Sequence, residues 1–62
     1  MALNNQLINR GGAALDAVKH CQDKMTAEQL LNDKAMRELP PLQWTKNQVK
    51  IAEETAYKIN NP

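Results

Sequence analysis

The stretch INRGGAALDAV, residues 8–18, decides how the chain is read. It sets Gly11 and Gly12 side by side inside the most clearly amphipathic part of the sequence. Residues of a helix are spaced about 100° apart. On that spacing Leu3, Leu7, Ile8, Ala14, Leu15, Val18, Cys21 and Met25 fall within one arc of roughly 140°, with Gly11 in its middle. Asn5, Asn9, Asp16, Lys19, His20, Asp23 and Lys24 fall on the other side. The apolar residues before the glycines are in phase with those after them, and a break has no reason to keep that phase. Leu7, Gly11, Ala14, Val18, Cys21 and Met25 also hold the alternating 4-3 spacing of a coiled-coil stripe.

The expectation is one helix over about residues 3–24, running through the glycine pair. Each interior glycine costs a helix about 1 kcal/mol. Gly11, with Ala14 beside it, can offset this if the missing side chain lets a neighbouring backbone approach the seam. Gly12 lies at the seam's edge and has no evident packing role. The alternative is a short arm, a hinge at Gly11–Gly12 and a helix from Ala13.

Two further helix starts are marked more sharply. Met25-Thr26-Ala27-Glu28-Gln29-Leu30 and Trp44-Thr45-Lys46-Asn47-Gln48-Val49 share one arrangement. Each has Thr at the N-cap, Gln three residues later, and apolar residues before the cap and at the fourth helical position. That is a capping box with a hydrophobic staple. The second helix is expected over about 27–38, stopping before Pro40-Pro41, because the residue before a proline is pushed out of the helical region. The third is expected over about 46–59, ended by Asn60-Asn61-Pro62. No segment alternates as a strand does. The fold class is therefore all-α, a single three-helix domain over residues 1–62.

Each helix has its own apolar pattern. On the second, Leu31, Ala35 and Leu39 form a stripe, with Leu30 and Met36 on opposite flanks. On the third, Val49, Ala52, Ala56 and Ile59 form a narrow stripe, and Ile51 falls off it among Glu54, Thr55 and Lys58. The pairs Asp33–Arg37, Lys34–Glu38, Lys50–Glu54 and Glu54–Lys58 stand four apart and read as surface helix support.

Composition narrows the function classes. A 62-residue chain sits where a single core is marginal and a staple or a partner is usual. Its one cysteine, Cys21, can make no internal disulfide and offers no zinc pair. A lone thiol fits a reducing compartment, so a cytoplasmic location is expected. No signal peptide or membrane-length apolar run is visible. The chain begins with Met and reads as a complete small open reading frame. Eight basic and seven acidic residues give a net charge of +1. They are interspersed, without the concentrated positive patch of duplex binders. Trp44 and Tyr57 alone are too few aromatics for single-strand stacking.

Chemistry-bearing motifs are few. Asp16, His20 and Asp23 share a polar helix face at metal-ligand spacing, but lack a fourth ligand and read as a solvated face. His20 and Cys21 are adjacent, hence about 100° apart on a helix, and cannot pair as base and nucleophile. Cys21 reads as a small core residue. Gly-Gly without a preceding strand is no phosphate loop. No enzymatic activity, cofactor, metal or small-molecule substrate is expected. Trp44 reads either as a staple closing the core over Val49 or as an anchor in a partner's pocket. Lys46, Asn47, Gln48 and Lys50 lie at the start of the third helix, and such groups can read base edges in a major groove. The two-proline connection before them is longer than a tight helix-turn-helix turn.

The leading expectation is a small non-enzymatic interaction protein. It would act stoichiometrically as a regulator, inhibitor or antirepressor-like adaptor, of the size class found among phage accessory proteins. Its partner would be another protein or a second copy of itself. Leu30, Met36, Trp44 and Ile51 are the expected contacts. The alternatives are a DNA-binding regulator using Lys46, Asn47, Gln48 and Lys50, and a structural subunit of a larger assembly.

Overall fold

The computed structural model describes residues 2–61, with side chains from Gln6 onward, and is an all-α three-helix domain. α1 spans Ala2–Ala17, α2 Ala27–Glu38 and α3 Lys46–Asn60, with short 3₁₀ turns at Gln22–Lys24 and Pro41–Gln43. Leu3 and Asn5, placed by phase on opposite faces of the first helix, lie outside the described side chains.

The helix runs through Gly11 and Gly12 without interruption, and neither has a positive φ. There is no hinge. The far end of the helix is a correction. It stops at Ala17 instead of near residue 24. Beyond it the bonds shorten to Val18 N→Leu15 O, Lys19 N→Asp16 O and Cys21 N→Val18 O. No glycine or proline marks the stop. Val18 and Met25 are both buried all the same. Apolar residues at 18, 21 and 25 suit a tight turn as well as a helix, and the turn lets the chain double back.

Both capping boxes form. Thr26 Oγ1 accepts from the Gln29 amide, and the Thr26 amide donates to Gln29 Oε1 at 3.0 Å. Thr45 and Gln48 repeat the pair at 3.0 and 2.9 Å. Leu39 closes α2 in an extended conformation ahead of Pro40.

The direction of each helix follows from who meets whom. Gly11 lies against Val49, Arg10 reaches Glu53, and Val18 lines a crevice with Thr55. α1 and α3 therefore run parallel. Asn32 of α2 bonds the Gln48 carbonyl, and Gln29 lies near Ile59, so α2 runs antiparallel to α3. The core is Ala14, Leu15, Met36, Val49 and Ala52, with Leu7, Trp44 and Ala56 packed against it. Small residues dominate where α1 meets α3, and that contact is the most extensive in the fold.

The face of α2 is a second correction. Of the expected stripe of Leu31, Ala35 and Leu39, the last two are half-buried and Leu31 faces solvent. Leu31 is 70% exposed, while Met36 is fully buried. Asn32 and Gln29 are half-buried and Asp33 is buried beside Met36. Helical pattern identifies an apolar face only when the inward residues are apolar, and here Gln29, Asn32 and Asp33 share the inward side with Met36. On α3 a similar correction applies. Thr55 is buried, with its hydroxyl donating to the Ile51 carbonyl at 2.8 Å, which removes the cost of hiding it. Ile51 is half-buried.

Candidate functional site

Gly11 makes a close approach, though to a side chain and not to a backbone. A Cβ built there would stand 2.7 Å from Trp44 Cε3 and Cζ3 and 3.2 Å from Val49 Cγ2. The same atom at Gly12 would meet nothing within 4 Å. The indole lies in the notch that Gly11 leaves, with Ala14 buried one turn on. Trp44 Nε1 donates to the Met36 carbonyl at 2.8 Å, serving a carbonyl of the last turn of α2 that has no helical partner. Trp44 thus touches α1, the end of α2 and the start of α3. It closes the core beside Val49, as the staple reading expected, with a minor part of its surface still open to solvent.

Three polar contacts join the helices. Arg10 forms a two-pronged pair with Glu53, with Nε–Oε2 and Nη2–Oε1 distances of 2.9 and 2.6 Å, tying α1 to α3. The hydrogen bonds from Arg10 hold the Glu53 carboxyl below the usual glutamate range, and the carboxylate raises the Arg10 guanidinium. Asn32 Nδ2 donates to the Gln48 carbonyl at 3.1 Å.

The third contact starts from Asp33–Arg37, expected as a surface pair. Arg37 Nε meets Asp33 Oδ2 at 2.8 Å, and Arg37 Nη2 reaches across to the Leu15 carbonyl at 2.9 Å. Asp33 is buried, and no group among the described residues bonds its Oδ1. The crevice beside it, lined by Val18, Met25, Gln29, Asn32, Ala52 and Thr55, is too narrow for a water molecule. An unsatisfied buried acceptor typically costs about 1–3 kcal/mol. Lys34–Glu38, Lys50–Glu54 and Glu54–Lys58 are not among the ion pairs within 4 Å.

The expected contact residues divide. Met36 is wholly inside and offers nothing to a partner; its role as a contact is withdrawn. Ile51 and Trp44 are half-buried. Leu30 is 39% exposed. The residues that the sequence reading missed are Leu31 and Leu42, at 70% and 78% exposure, together with Tyr57. Around α2, the positions opposite Met36 are Ala27, Leu31, Lys34 and Glu38, all exposed, with Leu30 on the flank. α2 thus turns Asp33, Asn32 and Gln29 inward beside Met36, and Leu30 and Leu31 outward. Asn32 and Asp33 lie on the same side of the helix as Met36, and two polar residues there gave no local sign that this side faces the core.

At the start of α3, Lys46, Asn47 and Lys50 are exposed. Gln48 is half-buried, its Oε1 held by the Thr45 amide and its carbonyl by Asn32. Asp16, His20 and Asp23 are exposed and Cys21 is half-buried. Among the described residues no group of three or more His, Cys, Asp or Glu could hold a metal ion. No helix of the described residues is long and apolar enough to cross a membrane.

Compared with known proteins, the chain matches no family model, and no curated protein or solved structure shows a significant similarity to it.

Proposed function

We propose that the chain is a small non-enzymatic protein-interaction module, acting stoichiometrically as a regulator, inhibitor or adaptor through the outward face of α2. One observation carries the reading: Leu31 and Leu30 stand on the solvent side of a helix that turns Gln29, Asn32 and Asp33 toward its neighbours. A chain this short has few leucines to spend, and large apolar side chains grouped on a surface tend to mark contacts. An amphipathic helix laid in an apolar groove is a common recognition mode, read as anchors on one helix face. Leu30, Leu31 and Ala27 are the anchors, with Lys34 and Glu38 at the rim.

The test is capture from native lysate by the wild-type chain and by Leu30→Asp/Leu31→Asp. A discrete protein held by the first and lost by the second, with helicity and melting point unchanged, supports the reading. Capture indifferent to the substitutions, or none at all, contradicts it. Gln48 is already engaged at its cap, and this weakens the duplex-DNA alternative, which needs that amide free to read a base edge.

A further inference from the structure

We propose that α2 opens as a unit from the α1–α3 pair, without unfolding it, and that the chain Asp33–Arg37–Leu15 carbonyl is the latch that holds it closed. This rests on how α2 is attached and is independent of the function proposed above.

α1 and α3 are joined through Gly11, Ala14, Val49 and Ala52, with the indole of Trp44 in the notch and the Arg10–Glu53 pair outside. α2 brings to the core one fully buried apolar side chain, Met36. Beside the half-buried Ala35 and Leu39, its remaining attachments are polar: Asn32 to the Gln48 carbonyl, Arg37 to the Leu15 carbonyl, and the Met36 carbonyl to Trp44. Water can replace each of these partners when the helix swings out. Leu31 loses nothing, because it is already exposed, and Asp33 Oδ1 gains the hydration that the closed state denies it. Most of the apolar surface that opening uncovers is Met36 and its seat in the cluster of Leu15, Val49 and Ala52. The segments on either side are pivots: 18–26 holds only a 3₁₀ turn, and Pro40-Pro41 keep α2 from continuing into α3. Elements with few apolar attachments and many exchangeable polar ones open at lower free energy than the whole molecule.

Amide hydrogen exchange of the full chain at increasing denaturant, in the regime that reports opening equilibria, is the test. The expected result is that α2 amides exchange through an opening with a smaller free energy and a shallower denaturant dependence than α1 and α3 amides. Gly12→Ala separates the openings further. It strengthens α1 in both the closed and the opened states, but not in the unfolded chain. It is expected to slow α1 and α3 exchange by about five-fold and to leave α2 exchange unchanged. A single opening shared by all three helices, with α2 slowed by Gly12→Ala as much as α1, would overturn the proposal.

Discussion

Met36 is the one fully buried apolar side chain of α2, with Ala35 and Leu39 only half-buried, so it supplies most of the helix's apolar grip. Met36→Ala should cost about 2–5 kcal/mol, the range for emptying a core site of this size, with a correspondingly lower urea midpoint. A loss within 0.5 kcal/mol would show that Met36 is not the centre of the core. Trp44 works differently. Its ring fills the Gly11 notch and its Nε1 serves the Met36 carbonyl. Trp44→Phe retains much of the ring and removes the donor. It should lower stability by at least the roughly 1 kcal/mol of a net hydrogen bond, and equal midpoints would mean that the bond contributes nothing.

Elements were legible in the sequence where their determinants are local. The boxes at Thr26 and Thr45 place the starts of α2 and α3 to the residue, because four positions in a row agree on one geometry. Thr26→Ala and Thr45→Ala should each cost about 1 kcal/mol, seen as a lower melting point without a change of fold. The end of α1 was not legible. It depends on how residues 18–25 turn to let α2 return, a decision made by packing that leaves no local mark. The inward face of α2 was hidden for a related reason. Asp33 reads as a surface residue until Leu15, far away in sequence, offers its carbonyl to Arg37. Arg10 and Glu53 were invisible as a pair because nothing local brings positions 43 apart together.

That pair has a pH consequence. The Glu53 carboxyl is held below its unfolded value, so its contribution is complete above the ordinary glutamate range and disappears as pH falls through the lowered folded value. Glu53→Gln should therefore flatten the acid side of the stability curve, seen as a smaller difference in urea midpoint between pH 7 and the acid limb. An unchanged difference would show the pair to be silent.

At the scale of the whole molecule, the fold is a parallel α1–α3 pair with α2 laid back across it, and the three meet at Trp44. Charge is dispersed over this surface, so affinity for duplex DNA should be weak and unselective at physiological salt. A sub-micromolar, sequence-dependent complex lost on mutating Lys46 and Asn47 would reverse the functional ranking. The central claim is that the bundle closes because Gly11 leaves room for the indole. The direct measurement is the unfolding free energy of Gly11→Ala beside that of Gly12→Ala. Each alanine favours the helix by up to about 1 kcal/mol. Only the first puts a Cβ at 2.7 Å from a ring that its own hydrogen bond to Met36 keeps from moving away, and overpacking of this kind typically costs about 1–3 kcal/mol. The account predicts that Gly12→Ala unfolds later than the parent and Gly11→Ala earlier. If both alanines stabilise the chain alike, the notch at Gly11 does not hold the fold together.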